Sequence, residues 1–354
     1  MDFPQQKSTD FREWVSFMEG EQTLNSWGYT RNFQGQCCIR NKVEDYSFAV
    51  TENNSVLAIC PLVVTEKDGV RSFTNDGSYL RGPIISSQVE ERRRNGILDD
   101  ILAHVDELAL ASSASYVGFF FDPQPTYRFH ANPLQEHGYI DTTLNTQILD
   151  LGLSEKEMRA SLRKSYKALI NKGLKTYELR VISCANADPL IHEIYRQTHI
   201  KAAGRETRPK WTFDLQFEEL KAGEATMICM TYEGRFVQLD YFSHRNGYVY
   251  YSSAADDPEF SESCEVPLGH AILWFAQDYF RSQGMKYLEI GWQLYGTQLF
   301  SSPSRKEMNI SYFKRGFGGF AASLYRGLKF YDPAIRERIV RDAVAQYLEA
   351  LPQG

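Results

Sequence analysis

Alternating hydrophobic and polar positions in the second half of the chain predict an antiparallel meander. Three runs rich in β-branched and aromatic residues occupy Ala225–Tyr232, Arg235–Ser243 and Tyr248–Ser253. They are separated by Glu233-Gly234 and Asn246-Gly247, and dipeptides of this kind are typical of the tight turns of β-hairpins. The pattern therefore predicts three strands that pair in sequence order.

A helix and a short strand are predicted to follow the meander. The apolar residues of the helix recur at three- or four-residue intervals, and they are Leu268, Ile272, Phe275 and Tyr279. Gly284 is placed to end this helix, and Tyr287–Trp292 has the composition of a strand. The order meander, helix, strand favours a mixed sheet.

The helix before the meander begins with a capping box formed by Ser154 and Glu157. One long helix is predicted, with an apolar side made of Met158, Leu162, Tyr166, Leu169 and Ile170. Gly173 is predicted to end it in the left-handed conformation.

The first half of the chain repeats this order of elements. Its predicted strands are Tyr46–Val50, Ser55–Val64, Val70–Phe73 and Tyr116–Phe121, and its helix carries Ile97, Ile101, Val105 and Leu108. We interpret the chain as a diverged tandem repeat of one α/β unit with α+β mixed sheets. The alternative is coincidence between two ordinary α/β domains, because the match lies in element order more than in residue identity.

Three segments follow from this organisation: an N-terminal domain (1–148), a C-terminal domain (149–330) and a final helix (331–354). Asp332 is a natural N-cap and Pro333 a natural first residue for the final helix. Its apolar stripe consists of Ile335, Ile339, Val344 and Leu348. We expect this stripe to pack back on the first domain.

The segment Tyr312–Phe320 combines Lys314 and Arg315 with aromatic residues and glycines. The aromatic residues favour a strand, and the glycines permit a bulge or the close approach of a ligand. Either a bulged strand with a solvated Lys-Arg pair or an anion-binding segment is compatible with this pattern.

Composition limits the functional classes. The net charge of −6 and the isoelectric point near 5.7 argue against coating of nucleic acid and allow only a local basic patch, so DNA is not expected as a partner. The cysteines are Cys37, Cys38, Cys60, Cys184, Cys229 and Cys264. They show no C-x-x-C pair, so we expect free thiols, a cytoplasmic protein and no metal site. Neither a secretory signal at Met1–Asp10 nor an apolar run of the roughly 18 residues of a membrane span is present, and no integral membrane contact is expected.

Taken in order, a set of segments resembles the FemAB-like branch of the GNAT acyltransferases, which includes the BioF2-like domains. The segments are Leu149-Asp150-Leu151, Leu162-Arg163-Lys164-Ser165, Lys172-Gly173-Leu174-Lys175, His199 to Arg208, Pro267-Leu268-Gly269-His270-Ala271, Glu289-Ile290-Gly291 and Phe313-Lys314-Arg315-Gly316-Phe317-Gly318. The resemblance implies two tandem GNAT-like domains that face a shared cleft. It also implies transfer of an acyl or aminoacyl group to a primary amine of a cell-envelope precursor.

The same resemblance suggests the substrates. Acceptors typical of the family carry phosphate, so a phosphate-bearing small molecule or a lipid-linked glycan of peptidoglycan or polysaccharide synthesis is implied. The donor is either aminoacyl-tRNA or acyl-coenzyme A, and no tightly bound cofactor is expected. Coenzyme A users of the GNAT class have a glycine-rich loop before the corresponding helix, where this chain has Glu265-Val266-Pro267-Leu268-Gly269-His270. An acid and a proline there put coenzyme A binding in doubt.

Acyl transfer to an amine requires stabilisation of an oxyanion and movement of protons. By its match to the family motif, Lys314 resembles the lysine that steadies negative charge near the acyl group. The candidates for proton handling are Asp240 and Glu289, carboxylates in apolar strands, and Tyr250 and Tyr251, of which only one can face a cleft.

Basic residues supply candidates for substrate binding. Arg205 and Arg208 lie in a loop where guanidinium groups can grip phosphate or carboxylate, and an ion pair with Glu206 is the structural alternative. Arg315 follows the candidate lysine, and a basic helix face carries Arg159, Arg163, Lys164, Lys167, Lys172 and Lys175. That face is either solvated or contacts tRNA or a nucleotide diphosphate.

The leading hypothesis is a FemAB-like N-acyltransferase or aminoacyltransferase. A non-catalytic binding protein on the same doubled fold is an alternative, and so is an acetyl-coenzyme A-dependent amino-sugar N-acetyltransferase. Thermal stabilisation by coenzyme A would favour the last of these.

Overall fold

The structure is a computed structural model of the 354-residue chain. It describes residues 1–4, 14, 17–18, 43–53, 55–75, 77–123 and 131–351. Cys37, Cys38 and most of the segment 1–10 lie outside the described residues. Cys60 and Cys229 are buried free cysteines, and burial raises the pKa of the Cys229 thiol to about 12.

The strands are β1 (Glu44–Asp45), β2 (Phe48–Glu52), β3 (Ser55–Cys60), β4 (Val63–Lys67), β5 (Val70–Phe73), β6 (Leu80–Arg81), β7 (Ile84–Ile85), β8 (Tyr116–Phe120), β9 (Ile140–Asp141), β10 (Leu144–Asp150), β11 (Glu178–Ile182), β12 (Ala225–Tyr232), β13 (Arg235–Arg245), β14 (Tyr248–Asp256), β15 (Tyr287–Gln293), β16 (Phe320–Leu324) and β17 (Arg326–Phe330). The α-helices described are α1 (Glu91–Ala111), α2 (Glu155–Ser161), α3 (Lys164–Thr176), α4 (Pro189–Ala203), α5 (Lys210–Ala222), α6 (Pro258–Ser263), α7 (Leu268–Ser282), α8 (Arg305–Arg315) and α9 (Pro333–Glu349). Within this part of the chain, none of the helices has the length and apolar character needed to span a bilayer.

The chain forms two compact units. Unit 1 comprises Met1–Asn145, Leu294–Met308 and Ser323–Gly354, and unit 2 comprises Thr146–Gln293 and Asn309–Ala322. The domain limits predicted after residues 148 and 330 stay predictions.

Unit 1 contains a mixed sheet with strand order β1-β4-β5-β8-β17-β9, in which β6 also pairs with β8. A separate small sheet has the order β2-β3-β7. Helix α1 lies between β7 and β8 in the chain, and β8 pairs in parallel with β5. The helix buries Ile97, Ile101 and Val105 in a core that includes Phe73 and Phe119. The α/β class with mixed sheets is confirmed in this unit.

Unit 2 is organised around a sheet with strand order β11-β12-β13-β14-β15-β10-β16. The predicted meander is confirmed as β12, β13 and β14, which pair antiparallel. Both turn dipeptides, Glu233-Gly234 and Asn246-Gly247, have positive φ at both positions, as a tight hairpin turn requires. After α7, β15 pairs in parallel with β14.

Both units therefore contain an antiparallel strand pair followed by a helix and a parallel strand. In unit 1 the series is β4, β5, α1 and β8, with the short strands β6 and β7 inserted before α1. In unit 2 it is β13, β14, α7 and β15, with the short helix α6 inserted before α7. This shared order supports the interpretation as a tandem repeat.

The two faces of the unit 2 sheet are covered by different helices. On one face, α3 and α7 bury Tyr166, Ile170 and Ile272 against a core that contains Leu288 and Ile290. On the other face, α4 and α5 bury aromatic and aliphatic residues against a second core, and these are Tyr195, Phe213, Leu220, Met227, Leu239 and Tyr241. The functional candidates are therefore distinguished by the face on which they lie.

The capping box at Ser154 is confirmed, because its hydroxyl accepts from the Glu157 amide and Glu157 accepts from the Ser154 amide. The prediction of one long helix is wrong. Leu162 and Arg163 adopt extended backbone angles between α2 and α3, and the Arg163 amide donates to the Gly316 carbonyl at 2.8 Å. A contact that is distant in sequence thus interrupts the helical hydrogen bonds.

The prediction that Gly173 ends its helix is also wrong. Helix α3 continues to Thr176, and Gly173 lies buried inside it. A Cβ atom on Gly173 would lie 2.6 Å from the Cβ of Ala271 in α7. Glycine is therefore needed here for the close approach of two helices rather than for a left-handed angle.

The strand predicted over Tyr312–Phe320 is wrong for most of its length. Tyr312 to Arg315 form the last turn of α8, the glycine-rich stretch is a turn, and the strand begins only at Phe320. Gly318 and Gly319 have positive φ in that turn, and a Cβ on Gly319 would lie 2.1 Å from the Ile148 carbonyl oxygen. The glycines serve a tight reversal between helix and strand.

The predicted C-terminal helix is confirmed as α9. The Asp332 side chain accepts from the amides of Ala334 and Ile335, and Pro333 is the first helical residue. Strand β17 and α9 both belong to unit 1.

Candidate active site

The parallel ladder between β14 and β15 is short. Its register covers Tyr248 to Tyr250 on β14 and Tyr287 to Glu289 on β15. Both strands continue beyond this ladder, and Ala254 on β14 is exposed although it lies within a sheet. The sheet of unit 2 therefore opens between these strands, next to Glu289.

Glu289 is a buried carboxylate held by hydroxyl groups of the two neighbouring strands. Thr146 of β10 donates to Oε1 at 2.6 Å, and Tyr248 of β14 donates to Oε2 at 2.6 Å. Two short hydrogen bonds to hydroxyl donors favour the ionised form of a carboxylate. The arrangement fixes a negative charge at the point where β14 and β15 begin to separate.

Lys314 projects from the last turn of α8 towards Gly291 of β15. A Cβ atom on Gly291 would lie 2.9 Å from the Lys314 ammonium nitrogen. Gly291 also has a φ of +90°, a backbone conformation that side chains of L-residues rarely adopt. Glycine at 291 thus provides both the backbone angle and the space for the ammonium group.

The Lys314 side chain is largely withdrawn from water, and this lowers its pKa to about 8. The charge of Glu289 acts in the opposite direction and raises that pKa. At neutral pH Lys314 therefore remains mostly a cation, held in a partly desolvated position where its charge acts strongly on a bound ligand.

Gly291→Ala tests two roles of this glycine: the positive φ of the backbone and the space that the Lys314 ammonium occupies. The new methyl group would displace the Lys314 ammonium, and the positive φ would cost about 1–2 kcal/mol of stability. Gly284→Ala is the matched control, because Gly284 has a φ of +75° with open space around its Cβ position. We expect similar losses in melting temperature for the two variants, and a pKa change at position 314, measured by NMR titration, only for Gly291→Ala.

Asp240 and Tyr251 lie on the opposite face of the sheet from Glu289. Asp240 is completely buried and accepts from the Tyr251 hydroxyl at 2.7 Å and from the Gln238 amide at 2.9 Å. Burial raises the pKa of Asp240 to about 7. A substrate cannot touch Asp240 directly, so we interpret it as part of the core beneath Tyr251 rather than as the base of the site.

Tyr250 is the tyrosine that shares the face of Glu289. Alternate residues of a strand face the same side, and Tyr250 is paired with Glu289 across the parallel ladder. It is partly buried. Of the two adjacent tyrosines, Tyr250 is therefore the one on the side of Lys314 and Glu289.

Arg205 and Arg208 have different environments. Arg205 is exposed, in the loop between α4 and α5. Arg208 is partly buried, donates to Gln216 at 2.6 Å and Tyr195 at 3.2 Å, and stacks 4.0 Å from the centre of the Phe213 ring. The predicted alternative of an Arg205–Glu206 ion pair is not among the contacts of the described chain, and Glu206 lies 4.0 Å from Arg196 instead.

Arg208 belongs to a polar cluster on the α4–α5 face. Tyr195 also hydrogen-bonds to Ser253 of β14, and the Arg208 Nε is buried without a hydrogen-bond partner among the described residues. A buried guanidinium donor of this kind is able to bind an anionic group.

Arg163 and Arg315 lie near Tyr312. Arg163 donates to the Tyr312 carbonyl at 2.9 Å and to the Tyr166 hydroxyl at 3.1 Å, and Arg315 donates to Gln293 at 3.2 Å. Lys167 is exposed on α3. These three residues form a basic surface that continues from the end of α8 to α3.

The first turn of α7, where a coenzyme A user would hold its pyrophosphate, is packed with aromatic rings. A Cβ on Gly269 would lie 3.0 Å from the Phe313 ring, and His270 contacts the rings of Tyr166 and Phe313. Burial and the Arg163 charge lower the pKa of His270 to about 4. His270 is thus a neutral packing residue.

Thr146, Tyr248 and Gln293 were not singled out from the sequence, although they contact Glu289 or Arg315. Tyr248 begins a predicted strand, and a tyrosine two residues before Tyr250 must share its face. That spacing is a usable sequence signal. For Thr146 and Gln293 no comparable local signal exists.

No protein-family model matches the chain, and no curated protein matches it by sequence. Solved structures do match over nearly the whole chain. One is FemX, at 11% sequence identity and a TM-score of 0.66, covering 96% of this chain and 100% of FemX. Another is L-PGS from Bacillus licheniformis, at 12% identity and a TM-score of 0.60, covering 97% of this chain and 98% of L-PGS.

A third similar structure is a tandem GNAT protein from the clavulanic acid biosynthesis pathway, at 12% identity and a TM-score of 0.51. The match covers 93% of this chain and 98% of that protein. At these identities the likeness concerns the fold. The predicted architecture is thereby confirmed: the chain has the FemAB-like tandem GNAT fold.

Proposed function

We propose that the protein is a FemAB-like N-acyltransferase or aminoacyltransferase that acts on a primary amine of a cell-envelope precursor. The observation that carries the proposal is the Lys314 cation, which is partly desolvated beside the opening between β14 and β15 and faces the fixed charge of Glu289. The fold shared with FemX, L-PGS and a tandem GNAT protein supports the reaction class.

In the proposed reaction the acceptor amine attacks the carbonyl carbon of the donor. A C–N bond forms, the carbonyl π electrons move to oxygen, and the Lys314 ammonium stabilises that oxyanion. When the carbonyl re-forms, the C–O bond of an ester donor or the C–S bond of a thioester donor breaks. The proton lost by the amine balances the proton gained by the leaving oxygen or sulfur, and we assign its relay to Tyr250.

Glu289 has a supporting role in this proposal. Both of its oxygens already accept hydrogen bonds, from Thr146 and Tyr248, so it is suited to hold charge rather than to collect a proton from substrate. Its negative charge keeps Lys314 protonated in a site where burial favours the neutral amine. We therefore assign Glu289 to positioning and charging the cation.

The acceptor is proposed to carry phosphate. The candidate binding groups for this phosphate are the buried Nε of Arg208, which has no hydrogen-bond partner among the described residues, and the exposed Arg205 of the same loop. Arg163, Lys167 and Arg315 provide a second basic surface. Both assignments follow from charge and exposure in unit 2.

A direct transfer assay tests the function. The purified protein is incubated with a pool of aminoacyl-tRNAs or with acyl-coenzyme A species, together with nucleotide-linked and lipid-linked amino sugars and peptides. Mass spectrometry then looks for an acceptor heavier by one acyl group. Transfer to any of these amines supports the proposal. If no donor and acceptor pair reacts while an acceptor still binds, the non-catalytic alternative replaces it.

A further inference from the structure

Unit 1 contains a buried arginine whose charge is not paired with a carboxylate of the described chain. Arg326 is the first residue of β17, and only 7% of its surface is exposed. Burial lowers the pKa of its guanidinium group. Because arginine is almost never buried without a partner of opposite charge, this side chain requires an explanation.

Neutral neighbours hold the Arg326 side chain in place. Its Nε donates to the Thr142 carbonyl, and its Cζ lies 4.7 Å from the centre of the Tyr79 ring. The Tyr79 hydroxyl in turn donates to the Thr142 hydroxyl at 2.8 Å. The two Nη groups of Arg326 have no hydrogen-bond partner among the residues that the structure describes, and both retain contact with solvent. A fixed pair of donors is therefore available to a ligand.

The carboxylate that acts on Arg326 through space is Asp141, and it is engaged elsewhere. Its oxygens accept from the side-chain amides of Asn132 and Gln135 and from the Thr143 backbone amide, each at 2.9 Å. The Asp141 charge raises the pKa of Arg326, against the larger effect of burial, without an ion pair between the two groups. Asp141 thus compensates the buried charge only from a distance.

A second arginine on the same face of the sheet shows how the chain satisfies such a group. Arg81 and Arg326 both pair with Phe120 of β8, one from each side, so the two arginines share a face. Asp122 accepts from Arg81 twice, at Nε over 2.6 Å and at Nη over 3.0 Å. Arg81 therefore has its carboxylate within the chain, whereas Arg326 does not among the described residues.

Two coplanar donors on a guanidinium group match the two oxygens of a carboxylate. A phosphate dianion is less suited, because its second charge would be repelled by Asp141 and the neighbouring Arg81 is already paired. We propose that Arg326 binds a carboxylate monoanion, either a small free carboxylate or the carboxylate end of a larger molecule. The site lies in unit 1, whereas Lys314 and Glu289 belong to unit 2, and it does not depend on the proposed transfer reaction.

NMR of the arginine side chains tests the site directly. The full-length protein, isotopically labelled at arginine, is titrated at constant ionic strength with N-acetylglycine and with N-acetylglycinamide, which has nearly the same shape and no charge. The Nη signals of Arg326, assigned through bonds from the backbone amide, are expected to shift to saturation with N-acetylglycine. They are expected not to shift with the amide.

Acetate and inorganic phosphate are titrated in the same way. Acetate that binds as tightly as N-acetylglycine would support a small free carboxylate as the ligand, and tighter binding of N-acetylglycine would support the end of a larger molecule. Phosphate is expected to bind more weakly than either.

Variants add a second measurement. Arg326→Lys keeps the charge and loses the paired donors, so carboxylate binding should weaken about tenfold, the loss expected for one hydrogen bond to a charged group. Arg81→Lys is the matched control and should leave carboxylate affinity unchanged, because its partner is Asp122. N-acetylglycine should also raise the melting temperature of wild type and Arg81→Lys, and much less that of Arg326→Lys.

The inference is overturned if N-acetylglycinamide shifts the Arg326 signals as much as N-acetylglycine does, or if neither shifts them. Phosphate that binds more tightly than both carboxylates would overturn the assigned ligand class. Equal carboxylate affinity in Arg326→Lys and wild type would also contradict it. The wild-type titration decides the question even if Arg326→Lys does not fold, and its result is independent of whether the protein transfers an acyl group.

Discussion

Lys314→Met is expected to lower the rate of transfer by about 10²–10³, the usual loss when one oxyanion-stabilising group is removed. Methionine preserves the length and apolar stem of the side chain and removes only the charge. Because the buried ammonium destabilises the folded state below pH 8, the variant should melt no earlier than wild type. Single-turnover rates at saturating donor and acceptor measure the effect, and an unchanged rate would contradict the role of Lys314.

The pH dependence distinguishes a cation from a base at position 314. Since the pKa of Lys314 is about 8, a reaction that needs its charge slows as the pH rises through 8. Lys314→Arg keeps a charge at all these pH values and should lose that decline. A rate that instead increases through pH 8 would indicate that the neutral amine acts as a base.

Glu289→Gln extends this test to the carboxylate. Glu289 raises the pKa of Lys314, so its neutralisation should move the decline in rate to lower pH. Glutamine retains hydrogen-bonding groups for Thr146 and Tyr248, which limits the loss of packing. An unchanged pH profile would show that Glu289 and Lys314 are not electrostatically linked.

Asp240→Asn is expected to stabilise the protein at pH 8 by roughly 2–4 kcal/mol. Burial raises the pKa of Asp240 from 3.8 to about 7, so folding favours the protonated acid. Well below pH 3.8 the side chain is protonated in both folded and unfolded protein, and no cost arises. Between pH 4 and 7 the wild-type protein loses stability, and above pH 7 the full cost is present.

Asparagine also suits the hydrogen bonds at this position. The Gln238 Oε1 is buried without a partner among the described residues, and the amide introduced by Asp240→Asn offers a donor that the ionised aspartate lacks. Urea unfolding at pH 4 and pH 8 measures the stability difference, which should be mostly lost at the lower pH. A destabilised variant at pH 8 would mean that the core requires the charge.

Asp214→Asn is the matched control for this experiment. Asp214 is an exposed carboxylate paired with Lys210 at 2.5 Å, and surface pairs of this type contribute about 0–1 kcal/mol. We therefore expect little change in the free energy of unfolding at either pH. Asp240→Ala should destabilise at both pH values, because it leaves the Tyr251 hydroxyl and the Gln238 amide without an acceptor.

The sheet of unit 2 was predictable because its signals are local. Each hairpin turn has a dipeptide that adopts positive φ, and each strand has a composition suited to a half-buried pleated surface. The helix α7 and the strand β15 follow from periodicity for the same reason. The tandem arrangement was then visible as a repeated order of elements.

The segment around Lys314 was not predicted correctly, although one signal was present. Ser304 and Glu307 form a capping box, in which the Ser304 hydroxyl accepts from the Glu307 amide and Glu307 accepts from the Ser304 amide. That signature predicts a helix through position 314 by the same rule that was applied at Ser154. The aromatic residues of Tyr312–Phe320 favour a strand when that segment is taken alone, without the capping box that precedes it.

The environment of Lys314 could not be predicted by local reasoning. Its lowered pKa depends on burial against β15 and on Glu289, which is itself held by Thr146 from another strand. These contacts join parts of the chain that are far apart in sequence. The break between α2 and α3 has a similar origin, in the Arg163 hydrogen bond to Gly316.

The contact between Gly173 and Ala271 makes the site sensitive to a residue that touches no substrate. Any larger side chain at 173 would push α7 away from α3, and α7 leads directly into β15, which carries Glu289 and Gly291. In a deep mutational scan that selects for activity, every substitution of Gly173 should therefore be depleted. That depletion would reflect the required spacing between α3 and α7 and not a catalytic role of the residue.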